Sequence, residues 1–128
     1  MAEVLIPNGA GWLPPTRAVG SPAVVAAVKI AASATVSEDL ALNGALPALI
    51  AAPSGFTGTT FSLELSFDGG VTYVPLYDGV GNLVSWDLSA SQCVLIYNSA
   101  WIIGATHLKI VAGSSQGADV EMAVACAP

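Results

Sequence analysis

Charge is what this sequence has least of. Asp, Glu, Lys and Arg make up 9% of its 128 residues, against roughly 25% in an ordinary soluble domain. Arg17, Lys29 and Lys109 are the only basic side chains, and they stand far apart in the chain. With a formal net charge of −6 there is no basic face to meet a phosphate backbone, so nucleic acid is not expected as a partner. An uninterrupted apolar run is missing too, although the mean hydropathy is +0.70. A membrane-spanning helix needs about 20 such residues. The charge-free stretch after Asp39 is broken by Gly44, Pro47, Pro53, Gly55 and Gly58, and the one after Asp87 by Ser89, Ser91, Gln92, Asn98 and Ser99. No basic segment followed by an apolar run opens the chain, so neither a signal peptide nor a membrane partner is expected.

Reactive side chains are equally scarce. His107 is the only histidine, and no G-x-S-x-G, H-E-x-x-H or Walker pattern occurs. No acid–base set can be picked out around it, so no enzyme is expected, and no metal or cofactor. His107 reads as a residue on the polar face of its strand. Cys93 and Cys126 are the only cysteines and fit neither C-x-x-C nor a zinc spacing. They can pair, but the plainer reading is two buried or half-buried thiols, since a free cysteine behaves as a small hydrophobe.

What remains is apolar: 54% of the residues. Phe61, Leu63, Leu65 and Phe67 alternate with Ser62, Glu64 and Ser66, giving a strand with one apolar and one polar face. Asp68-Gly69-Gly70 offers the positive-φ positions of a tight reversal. The chain returns through Thr72 to Tyr77, turns again at Asp78-Gly79-Val80-Gly81-Asn82, and adds a short run from Leu83 to Trp86. This predicts a meander of two hairpins.

Further strands are expected over Ala23–Ala34, Leu40–Leu42, Leu46–Ala52, Cys93–Tyr97, Thr106–Val111 and Asp119–Ala125. Thr35–Asp39 reads as a turn, Asn43-Gly44 as another, Cys93–Tyr97 as a buried strand and Gly113–Gly117 as a flexible loop. Ala100–Gly104 reads as a short helical or irregular turn. About eight short strands with regular turn signals predict one all-β domain over 23–128, an antiparallel sandwich or jelly roll. Ahead of it, residues 1–22 carry Pro7, Pro14, Pro15 and Pro22 and cannot be helical. Val4, Leu5, Ile6, Trp12 and Leu13 are apolar there, so this arm is expected to lie along its own domain or across a neighbour.

Tyr73, Tyr77, Trp12, Trp86 and Trp101 can be a sugar-stacking platform. Alternatively, Trp86 and Trp101 belong to the core and the tyrosines to an interface. Pro75 between the tyrosines marks an edge strand or a bulge, since it lacks the amide a central strand needs. The subunit-interface candidates are therefore Val4, Leu5, Ile6, Trp12, Leu13, Tyr73, Pro75 and Tyr77. Asp78–Asn82 lacks the ligand order of a calcium loop and reads as a hairpin turn.

The run Leu65-Ser66-Phe67-Asp68-Gly69-Gly70-Val71-Thr72-Tyr73-Val74-Pro75-Leu76-Tyr77-Asp78, with Gly81-Asn82 after it and Leu108-Lys109-Ile110-Val111-Ala112-Gly113 later, resembles small structural proteins of tailed bacteriophages. These carry an S-x-D-G-G-x-x-Y/F-x-P-L-x-D motif in a β-sandwich and an L-K-[IL]-x-[SA]-G strand near the C-terminus. Val111-Ala112 stand here where Arg is usual, and the arm is a further departure. The motif belongs to the framework, so the resemblance assigns no binding residue. It implies a virion component: capsid decoration or head-fibre base first, tail or baseplate second. Its partners would be copies of itself in a symmetric homo-oligomer and the major capsid protein or other virion proteins, after assembly in the host cytoplasm. A carbohydrate-binding module is the reading from a different class.

Overall fold

The computed structural model describes residues 24–96 and 104–127. Among them there is no helix, and nine strands form two antiparallel sheets. The strands are β1 (Val24–Ile30), β2 (Leu40–Ala41), β3 (Leu46–Ala51), β4 (Thr60–Ser66), β5 (Val74–Pro75), β6 (Ser85–Asp87), β7 (Cys93–Leu95), β8 (His107–Ala112) and β9 (Val120–Ala127). One sheet runs β1-β9-β3-β7 and the other β2-β8-β4-β5, with β6 also on β4. The chain is thus an all-β sandwich, as its alternation predicts.

Period-2 alternation decides which side chains meet between the sheets. Val120, Met122, Val124 and Cys126 of β9 point inward with Val28, Ile30 and Ile50 of their own sheet. Phe61, Leu63 and Leu65 of β4 and Leu108, Ile110 and Ala112 of β8 close the core from the other side. Trp86 is buried and stacks on Phe61 with ring centroids 5.2 Å apart. The cysteines are not paired: Cys126 is buried, and burial pushes its thiol pKa up, whereas Cys93 is exposed.

Several local expectations need correction. The alternation of β4 ends one residue early: Ser66 is fully buried and Phe67 is 56% exposed. The reversal after it is no two-residue turn but a loop from Phe67 to Tyr73. The third run does not extend a meander. β5 pairs with Glu64 and Leu65, β6 pairs with Thr60 to Ser62, and both therefore line the same edge of β4. Between them Leu76 to Val84 fold out as a small hairpin, closed by Val84 N–H donating to the Leu76 carbonyl at 3.0 Å.

Cys93–Leu95 is an exposed edge strand rather than a buried one, for Leu95 is 60% exposed. Thr35–Asp39 is no free turn. Val36 bridges Val111, and the buried Ser37 hydroxyl accepts the Ile110 N–H at 2.8 Å. Gly113–Gly117 is pinned by the buried Gln116 side chain, which bonds to both backbone groups of Thr57. The Ala100–Gly104 expectation lies outside the described residues except for Gly104, which sits in a turn.

Candidate functional site

The run from Ser66 to Asp78 is built by its own side chains. The Ser66 hydroxyl donates to Asp68 Oδ1 at 2.7 Å and accepts the Gly70 N–H at 2.9 Å. The same carboxylate oxygen accepts the N–H groups of Thr72 at 2.9 Å and Val71 at 3.2 Å. Gly69 and Gly70 hold φ of 80° and 90°, which an L side chain rarely adopts. Gly69 N–H reaches Thr106 Oγ1 at 3.0 Å, which ties the loop to the start of β8. Asp78 repeats the device: its Oδ1 accepts Val80 and Asn82 N–H, each at 2.9 Å. Both aspartates thus use Oδ1 to hold their own loops. No group of three or more His, Cys, Asp or Glu side chains among the described residues is placed to hold a metal ion.

These bonds fix the protonation of Asp68. Thr72 N–H, and after it the Ser66 hydroxyl, lower its pKa from 3.8 to about 2. Backbone N–H groups lower Asp78 (Asn82 first) and Asp119 (Ala32 first) in the same direction. A carboxyl depressed in the folded state stabilises it above the unfolded pKa, and that contribution is lost as pH falls through the folded value. The melting temperature is therefore expected to drop between about pH 4 and about pH 2. Asp68→Asn should flatten part of that drop in circular-dichroism melts, and an unchanged slope would contradict this role.

Tyr73 is half-buried and makes its polar contacts within its own chain. Its hydroxyl donates to Asp39 Oδ2 at 3.0 Å, and Lys109 Nζ lies 4.3 Å from the ring centroid. Lys109 alternates with buried Leu108 and Ile110, so this cluster lies on the outer face of the β2-β8-β4-β5 sheet. Burial, reinforced by Asp39, pushes the phenol up to about 12. Pro75 is exposed on β5, the edge strand of that sheet, and Tyr77 is exposed on the projecting hairpin. Val80 at the hairpin tip is 81% exposed. Val4, Leu5, Ile6, Trp12 and Leu13 lie outside the described residues, as do Trp101 and the rest of 97–103. Because Trp86 is core, the proposed sugar platform keeps Tyr73 and Tyr77 alone among the described aromatics. An open cleft of about 710 Å³ passes Asn43, Gly69, Thr106 and His107, and His107 is the single titratable residue on its described lining.

The surface that sequence reasoning missed is the outer face of the other sheet. Antiparallel register places Val25 beside Ala125, Ala125 beside Leu49, and Leu49 beside Leu95. The next row is Ala27, Ala123, Ala51 and Cys93. All of these alternate with inward-facing neighbours, so both rows point away from the core. Charge enters only at one end, with Lys29 beside Glu121. The Lys29 ammonium lies 3.4 Å from Asp119. The other sheet is different: its outer face carries Glu64, His107 and Lys109. A signal for the apolar face was present in Val24-Val25-Ala26-Ala27-Val28, which is apolar at both parities, as a strand covered on two sides would be.

Compared with protein-family models, curated proteins and solved structures, the chain has no match.

Proposed function

We propose that this chain is a non-enzymatic structural protein of a tailed-phage virion. It would act by being packed among copies of itself and other virion proteins, the major capsid protein first among them. Capsid decoration, as a cement-like protein or the base of a head fibre, is the preferred place, and a tail or baseplate position is the second. The observation that carries this reading is the apolar outer face of the β1-β9-β3-β7 sheet in a chain with only 9% charged residues. Val25 is 67% and Leu95 60% exposed there, and contiguous apolar surface of this kind marks interaction sites. The run from Ser66 to Asp78 agrees with the phage-like motif in another respect: its residues build loops, as framework residues do.

Binding would come from apolar burial between subunits, with residues 1–22 as an anchor. The test is the protein content of virions purified from the phage that encodes the chain. The full chain is expected there in fixed stoichiometry by mass spectrometry, and a form lacking residues 1–22 is expected to fold yet stay out of the particle. Absence of the full chain from the particles would contradict the virion reading.

A further inference from the structure

We infer that the outer face of the β1-β9-β3-β7 sheet seats a second copy of this chain, sheet on sheet, about a two-fold axis running across the strands. This rests on the assembly reading above and names its surface and its partner.

The relief of the face is self-complementary. Val25, Leu49 and Leu95 form a ridge of large side chains, notched at Ala125 between the first two, and Ala27, Ala51, Ala123 and Cys93 form a shallow row beside it. Outward residues on one strand repeat every two positions, about 6.7 Å apart, so ridge and trough run parallel. A two-fold axis lying between the copies, halfway from ridge to trough, sets each ridge over the other copy's trough. Leu49 of one copy then meets Ala51 of the other, and the reverse contact is identical, so the assembly closes at two. Sheets pack face to face at about 10 Å when large and small residues interdigitate in this way. The same operation carries Lys29 and Glu121 of one copy past the ridge of the other, toward the rim of the contact.

The area is sufficient for a reversible dimer. Four strands, the longest eight residues, span a face of about 20 Å by 20 Å. Counting side-chain relief on both copies, about 1,000 Å² leaves water, which is the lower bound of a specific interface. Concentration should therefore control the equilibrium. Cys93 lies in the trough and Cys126 in the core, so thiol labelling of the native protein reports on Cys93.

The test follows the full chain through a dilution series by light scattering and by labelling with a chromogenic disulfide reagent. The mass is expected to double with concentration while Cys93 labelling slows about tenfold or more. Val25→Lys, at a position already 67% exposed, is expected to stay folded, remain a monomer and label fast throughout. Leu49→Lys provides a second variant on the same ridge. A wild-type dimer with unprotected Cys93, unaffected by either substitution, would overturn this face and leave the assembly reading standing. A wild-type monomer with fast labelling at every concentration would overturn the self-pairing, and particle composition would then decide the virion reading separately. A monomer whose Cys93 is protected at every concentration, and is uncovered by removing residues 1–22, would make the chain's own N-terminal segment the occupant and overturn the second copy.

Discussion

Phe61→Ala is expected to destabilise the domain by about 3–5 kcal/mol, the range for emptying a large buried aromatic site. Phe61 is 1% exposed near the start of β4, with Ala112 of β8 on one side and Trp86 of β6 on the other. Its ring and that of Trp86 are stacked at an interplanar angle of 14°, so the substitution also removes the surface on which the Trp86 ring rests. The vacated volume cannot close easily, because Leu63 and Ile110, next along the same inner face, belong to paired strands. A domain of this size commonly has about 5–15 kcal/mol in hand, so the variant should be marginal at 37 °C. Urea unfolding checks this: the midpoint should fall with little change in slope, and a loss below about 1 kcal/mol would contradict the packing described.

Gln116→Ala is expected to cost about 2–3 kcal/mol, mostly through backbone groups left without partners. The side chain is 2% exposed inside a loop. Its Oε1 accepts the Thr57 N–H at 2.8 Å, and its Nε2 donates to the carbonyls of Thr57 at 2.8 Å and Ser114 at 3.1 Å. Its backbone holds a third segment, with Gln116 N–H donating to the Ala34 carbonyl at 3.1 Å and the Gln116 carbonyl accepting Ser33 N–H at 2.8 Å. One residue thus clasps three connections at one end of the sandwich. Hydrogen exchange is the direct check, since Thr57 N–H should lose protection in the alanine variant while the amides of β4 and β8 keep theirs. Equal protection at Thr57 in both proteins would show that the clasp carries no weight.

Gln116 also shows why part of the fold could not be read from the chain alone. Gly-Ser-Ser-Gln-Gly is by composition a free loop, and only the approach of Thr57 from 59 positions away turns its polar side chain inward. Strands with a polar parity were legible, because Lys109 between Leu108 and Ile110, or Glu121 between Val120 and Met122, states which way each side chain points. The loop from Phe67 to Tyr73 misled in the opposite sense. Asp-Gly-Gly satisfies a short reversal, yet Asp68 gathers the amides of Val71 and Thr72 and the hydroxyl of Ser66, and so stabilises a wider one.

The apolar outer face was the least legible feature. Its residues come from β1, β3, β7 and β9, and each contributes only two or three small or branched side chains. Ala123 and Ala125 say nothing in sequence. They become part of a surface when register sets them between Ala27 and Ala51, and between Val25 and Leu49. Composition announced that apolar area had to be covered, whereas the pairing of distant strands decided where it would lie. The edge strand at Pro75 is legible because proline marks it locally, whereas the contacts of Tyr73 with Asp39 and Lys109 come from segments more than 30 positions away and leave no local signal.

Sedimentation equilibrium of the intact chain tests most directly whether so much outward apolar surface serves association. The expected result is a mass that rises with concentration from 12.8 kDa toward twice that value. A folded protein that keeps the single-chain mass of 12.8 kDa at every concentration would contradict it.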